Sequence, residues 1–156
     1  MSRACSALVV AMVAFVFTSG AAFAQVGQGV DFTKLSVNKV MVGDTVDAIK
    51  QTLGPPRSVK GSRGQYMVYG NFTIQLTSDL KNAAFLRNGS RLALDGKQIL
   101  ASGDAASRCD GMLNMKHRAR QGPDGAEYCY YQPQTQRELV VLVYRGVIRG
   151  FVLGSK

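Results

Sequence analysis

The middle of the chain has the clearest alternation of apolar and polar positions. Every second residue of "FTIQLT", residues 72–77, is apolar, which is typical of a strand with one buried face. An aromatic run at residues 66–69 precedes it, and Gly70-Asn71 between the two runs favours a two-residue hairpin turn. The pattern therefore predicts a half-buried β-hairpin.

A helical period precedes this hairpin, over residues 44–53. Apolar residues recur there at intervals of three and four, so one side of the helix is predicted to be buried. An aspartate opens the segment, where its carboxylate can cap the free N–H groups of the first turn, and a glycine followed by a proline ends it. The residues of this helix motif are Asp44, Val46, Ile49, Leu53, Gly54 and Pro55.

Further turn signals divide the remaining chain into short strands. Asn88-Gly89 and Asp95-Gly96 separate three short runs, which predicts that an antiparallel meander continues beyond the first hairpin. Residues 139–144 are apolar on both faces, as expected for a central strand, and a turn leads from them into residues 147–153. Gly150 in that last run predicts a bulge or a close backbone approach.

Residues 103–121 fit two patterns. A helix would bring several apolar residues together, whereas residues 113–120 also alternate between apolar and polar. The strong turn at residues 122–125 favours a short helix near 104–110 followed by a strand hairpin. The strand would align a basic stripe on one face, and this stripe is the predicted binding site: Lys116, Arg118 and Arg120.

The N-terminus has the pattern of a secretory signal peptide. Arg3 precedes an apolar run at residues 7–17, and Ala22-Phe23-Ala24 is a small-x-small cleavage site, so residues 1–24 are predicted to be removed. An uncleaved membrane anchor is the alternative, because a spanning helix needs about 20 residues. No cysteine lies just after the apolar run, and Cys5 precedes it, so no lipid anchor is predicted. Residues 25–156 would form a single α+β domain in the periplasm.

The net charge of the chain limits the kinds of molecule that it is expected to bind. The chain carries a net charge of +9, of which the signal peptide contributes one arginine. The positive excess favours contact with an anionic lipid surface, an acidic polysaccharide or an acidic protein, and the predicted compartment excludes nucleic acid. The alternative is that the charge serves only solubility.

Two cysteines remain after cleavage, Cys109 and Cys129. An even number in an oxidising compartment predicts one disulfide, worth about 3 kcal/mol in the chain-entropy model. The alternatives are a redox pair and a metal site. No C-x-x-C motif occurs, and the single histidine, His117, cannot complete a metal cluster with cysteines twenty positions apart.

No catalytic signature is present in the sequence. It contains no phosphate loop and no zinc spacing, and His117 has no partner that the sequence positions for it. We therefore expect no enzyme activity, no cofactor, no metal and no small-molecule substrate, and we interpret His117 as a surface or half-buried residue.

Two segments carry a resemblance to a known family. "VMVGDTVDAIKQTLGPP" at residues 40–56, followed by the aromatic strand "GQYMVYG", resembles the SmpA/OmlA (BamE/OsmE-like) family of bacterial envelope proteins. The resemblance implies an α+β fold like that of a β-lactamase inhibitor protein, in which two helices pack on an antiparallel sheet. Gly43-Asp44 and Gly103-Asp104 each open a candidate helix, so helix plus strands is a candidate tandem repeat.

The resemblance implies two functions. The leading hypothesis is an exported binding module that supports outer-membrane or envelope assembly or integrity through protein and anionic-lipid contacts. The alternative is a periplasmic or secreted inhibitor of a hydrolase of the lysozyme or β-lactamase type. Lysozymes are usually basic, so electrostatic repulsion would act against an inhibitor with this charge.

Overall fold

The computed structural model describes residues 29–61, 65–70, 72–76, 82–87, 89–123 and 125–155, which form a mixed α+β fold that is mostly antiparallel sheet. The predicted signal peptide lies outside the described residues. Two short α-helices and eleven strands occur in the described part of the chain. The elements are β1 (Leu35–Val37), α1 (Val46–Leu53), β2 (Ser58–Lys60), β3 (Gln65–Tyr69), β4 (Phe72–Leu76), β5 (Asn82–Arg87), β6 (Arg91–Leu94), β7 (Lys97–Ala101), α2 (Cys109–Leu113), β8 (Arg118–Gly122), β9 (Gly125–Gln132), β10 (Arg137–Tyr144) and β11 (Val147–Ser155).

The strands form two antiparallel sheets. The larger has eight strands in the order β2-β3-β4-β5-β11-β10-β9-β8, and the smaller has the order β1-β6-β7. The last strand of the chain therefore lies in the middle of the large sheet. It joins the two halves of the sheet through the pairs Gly150–Arg87 and Phe151–Leu86.

The helices and the small sheet pack on one face of the large sheet, where two clusters of buried side chains form the core. The large cluster joins the small sheet and α2 to β9, β10 and β11, with Phe32, Leu113, Tyr130 and Phe151 among its fully buried members. The small cluster places Ile49 of α1 against β3 and β4. Phe72 packs against both clusters and so links them.

The predicted helix forms, and its buried side is confirmed. Ile49 is fully buried, and Val46 and Leu53 pack half-buried against the small cluster. Gly54 ends the helix at a φ of 79°, with its N–H donating to the carbonyl of Lys50 over 2.8 Å, and Pro55 follows. The hydroxyl of Tyr69 donates to the Gly54 carbonyl, which ties the helix end to β3.

The predicted N-cap is wrong by one residue. The helix begins at Val46, so Thr45 is the cap, and its hydroxyl accepts from the backbone N–H of Ala48 over 3.2 Å. Asp44 lies one residue too early to reach the first turn. Its carboxylate accepts from the backbone N–H of Met41 over 2.8 Å instead, which orders the turn before the helix.

Two of the three predicted early hairpins are confirmed. β3 and β4 pair from Tyr69–Phe72, as the alternation predicts, although Asn71 lies outside the described residues. Asp95-Gly96 joins β6 and β7. The meander is wrong at Asn88-Gly89, because β5 pairs with β4 and β11 while β6 pairs with β1 and β7. The chain leaves the large sheet there and enters the small one.

The second half follows the predicted order with shifted bounds. The helix predicted near 104–110 is a 3₁₀ turn at Ala106–Arg108 that runs into α2, which ends at Asn114 in the left-handed conformation. β10 and β11 form the predicted C-terminal hairpin. The register shifts between Leu142 and Val143, where Arg149 is the additional residue beside Gly150, so the predicted bulge is confirmed.

Candidate functional site

The structure divides the predicted basic stripe between two places. Arg118 and Arg120 lie on one face of β8, because they pair across the sheet with Cys129 and Glu127 of β9. Lys116 precedes the strand, and its ammonium nitrogen lies 3.6 Å from a carboxylate oxygen of Asp110, on the side of α2. The three charges do not share one strand face, so this part of the prediction is wrong. The reason is that the strand begins only at Arg118.

The two arginines differ in what they contact. Nε of Arg120 donates to the carboxylate of Glu127, whose side chain is only 14% exposed, so a large part of this positive charge is neutralised at the surface. Arg118 is exposed and has no acidic partner in the described part of the chain. Arg118 is therefore the residue of the predicted stripe with an uncompensated charge on this face.

Arg118 belongs to a larger surface, which we call the open face: the face of the large sheet opposite the two buried clusters. The strand registers put the following side chains on it: Tyr66 and Val68 of β3, Thr73 and Gln75 of β4, Val152 of β11, Glu138, Val140 and Leu142 of β10, Glu127, Cys129 and Tyr131 of β9, and Arg118 and Arg120 of β8.

The open face combines exposed aromatic rings with a partly apolar centre. Tyr66 and Tyr131 are each 38% exposed, and on this face they lie toward opposite edges of the sheet. Leu142 and Val152 are half-buried at its centre, and β11 contributes glycine at positions 150 and 154, of which Gly150 is buried. The helices and the small sheet pack on the other side, so the two tyrosine rings face solvent and Leu142 and Val152 do so in part, whereas Val140 beside them is only 6% exposed.

The predicted disulfide is wrong in this structure, in which Cys109 and Cys129 are both free thiols. Successive side chains of a strand point to opposite faces. Tyr130 points into the large cluster and contacts Cys109, so its neighbour Cys129 points to the open face. The sheet therefore separates the two sulfur atoms.

A polar cluster that the sequence did not predict joins α2 to β8 and β9. One carboxylate oxygen of Asp110 accepts from the hydroxyl of Tyr130 over 2.9 Å and lies 2.8 Å from Nδ1 of His117. The His117 ring stacks on Tyr128 with their centroids 3.8 Å apart. The only signal in the sequence was a spacing of seven residues between an acid and a histidine, which matches no motif.

Burial and hydrogen bonding set the protonation states in this cluster. Burial acts to raise the pKa of Asp110, but the hydrogen bonds from His117 and Tyr130 outweigh it and hold that pKa below 3.8. Burial raises the pKa of Tyr130, and so does its hydrogen bond to the carboxylate of Asp110. Burial also raises the pKa of the Cys109 thiol to about 11.

Through these contacts, which we call the clamp, Asp110 holds α2 against β8 and β9. Asp110 and His117 form an acid–histidine pair, but a nucleophile beside it needs a lowered pKa or a base within reach. The Tyr130 hydroxyl, which contacts Asp110, and the Cys109 thiol, which contacts Tyr130, have raised pKa values and are buried in the large cluster. The described residues contain no group of three or more side chains that could hold a metal ion.

Comparison of the chain with protein-family models, curated proteins and solved structures gives no match. Among the described residues, no helix has the length and apolar character needed to cross a membrane.

Proposed function

We propose that this protein is an exported, non-enzymatic binding module of the bacterial envelope, and that it binds a partner protein on the open face. In this proposal it supports outer-membrane or envelope assembly or integrity, in keeping with the resemblance to the SmpA/OmlA family. The observation that carries the proposal is the open face itself: an eight-stranded sheet with its core on one side and exposed side chains on the other.

The composition of the open face supports binding to a protein. Tyrosine and arginine are enriched where proteins bind one another, and the open face exposes Tyr66, Tyr131 and Arg118 around half-buried apolar residues. The positive charge of the chain supports a second contact, with an anionic lipid surface or an acidic partner.

The order of the strands supports the proposal of a tandem repeat. Each half of the large sheet is a four-stranded meander that follows a helix, α1 before β2 to β5 and α2 before β8 to β11. The last strands of the two meanders, β5 and β11, pair in the middle. A repeat of this kind would make the open face a single surface built from two related halves.

The test is a crosslinking pull-down from an envelope extract of the bacterium that encodes the chain, run over a salt series. The combined variant Arg118→Gln and Tyr66→Ser should capture at least about tenfold less of the wild-type partner, since arginine and tyrosine are among the residue types whose truncation most often weakens binding by about 2 kcal/mol or more. Lys116→Gln is the matched control, because it removes the same charge two residues away on the other side of the sheet.

Full capture by the combined variant would contradict the open face as the binding site. Equal loss in the combined variant and in Lys116→Gln would mean that net charge, and not this face, governs capture. Co-sedimentation with phosphatidylcholine vesicles, with and without an anionic lipid, tests the lipid contact separately. Salt-insensitive capture of a lysozyme or a β-lactamase would instead favour the inhibitor function.

A further inference from the structure

The outer face of the small sheet carries a pocket that the proposed function does not use. Its floor is formed by Ser36 of β1 and Ala93 of β6, which are paired neighbours with small side chains. Longer side chains, among them Lys34, Lys39 and Met41, form its walls. The pocket has a volume of about 360 Å³, within the range of small-molecule sites. It faces away from the large sheet, and hence away from the open face.

Ser36 is a buried polar residue whose hydroxyl has no partner among the described residues. Its neighbours Leu35 and Val37 point into the large cluster, so the Ser36 side chain points outward into the pocket. The residue is 7% exposed, and its hydroxyl makes no hydrogen bond within the part of the chain that the structure describes. A buried hydroxyl left in this state is unfavourable, so the floor of the pocket offers a donor to a ligand.

The charged side chains that line the pocket, two lysines and one aspartate, carry a net charge of +1. The ammonium group of Lys34 lies 3.6 Å from the carboxylate of Asp95, so these two charges offset each other. Lys39 has no acidic partner among the described residues. The pocket can therefore neutralise one negative charge, while Asp95 at its wall disfavours an anion with two or more.

The backbone that carries Lys39 is fixed. Asn38 and Lys39 both have positive φ, 47° and 69°, in a two-residue turn closed by hydrogen bonds between Val37 and Val40. The side chain of Asn38 accepts from the backbone N–H of Arg91 over 2.8 Å, which anchors the turn to β6. The turn therefore fixes the backbone from which the Lys39 side chain extends along the pocket.

We propose that this pocket binds the carboxylate of a small organic acid with a short apolar body. Lys39 neutralises the carboxylate, the Ser36 hydroxyl donates to one of its oxygens, and Met41 and Ala93 contact the apolar part. The source of the carboxylate is either a free acid or the C-terminus of a peptide. The proposal is independent of the partner that binds the open face.

The test is an NMR titration of the ¹⁵N-labelled protein with hexanoate, and with hexanamide as the uncharged analogue. Hexanoate should shift the amide signals of residues 33–39 and 93–96 in a saturable way, and hexanamide should not. Lys39→Gln should weaken hexanoate binding about tenfold, since a hydrogen bond to a charged group is typically worth this factor or more. Lys97→Gln, which removes an exposed lysine of β7 outside the pocket lining, is the matched control and should bind like wild type.

Ser36→Ala separates a ligand-binding role from a structural one. Removing the unpaired hydroxyl should leave the thermal stability unchanged or raised, while hexanoate binding weakens severalfold. Absence of shifts at the pocket amides, equal binding of hexanamide, or full binding by Lys39→Gln would each overturn the proposal. An acetylated dipeptide with a free C-terminal leucine distinguishes the sources: tighter binding than hexanoate supports a peptide C-terminus, and weaker binding supports a free acid.

Discussion

At the scale of single residues, burial differs sharply along the predicted apolar side of α1. Ile49 is fully buried against β3 and β4, whereas Leu53 at the end of the helix is half-buried. Ile49→Ala should lower the free energy of unfolding by about 2 to 5 kcal/mol, because it leaves a cavity in the small cluster. Urea denaturation measures the loss, which should be smaller for Leu53→Ala.

Asp47→Asn is the control for this substitution, since Asp47 is exposed on the same helix and should change stability by less than about 0.5 kcal/mol. Equal, small losses for Ile49→Ala and Asp47→Asn would contradict the buried position of the helix.

The two thiols should differ in reactivity. Burial raises the pKa of both thiols, but Cys129 is only half-buried on the open face, whereas Cys109 is fully buried and its pKa is raised to about 11. Iodoacetamide should therefore label Cys129 in the native protein without prior reduction, and Cys109 only after unfolding. Intact mass and peptide mapping count and locate the labels. Labelling that requires reduction at both positions would instead support the disulfide that the sequence predicts.

At the scale of the elements, Asp110 holds α2 against β8 and β9, which gives a pH dependence with a definite sign. The pKa of Asp110 lies below 3.8 in the folded protein, so its stabilising contribution is present above pH 3.8 and is lost as the pH falls through the folded value. Asp110→Asn removes this titration. The variant should be less stable than wild type at pH 7, and the difference should shrink below pH 3.8.

Urea denaturation at pH 7, 5 and 3 measures that difference, with Asp47→Asn as a control that removes the same charge far from the cluster. A difference that stays constant over this range would mean that the charge of Asp110 does not stabilise the clamp.

The sequence predicted the elements well where the signal is local. The alternation at residues 72–77 and the dipeptide Asp95-Gly96 specify a strand and a turn through the conformations of the residues themselves. Asn88-Gly89 shows the limit of such a signal, because a turn dipeptide does not determine which strand its neighbour pairs with. The pairing of β5 with β11 depends on residues more than sixty positions apart.

At the scale of the whole molecule, the same limit applies to the candidate site. Alternation alone placed Lys116 in line with Arg118, but where β8 begins depends on the end of α2 and on the pairing with β9. The open face could not be predicted from the sequence, because it exists only once the helices and the small sheet have packed on the other side. Its glycines and tyrosines come from separate strands and form no motif.

The central position of β11 also determines when the large sheet can form during synthesis of the protein. The ribosome makes this strand after the other ten, yet it lies between β5 and β10 and supplies Ile148, Phe151 and Leu153 to the large cluster. Neither half of the sheet can join the other until β11 has been synthesised. The large sheet and its core are therefore completed only after β11 has left the ribosome, so the earlier strands wait without their central partner.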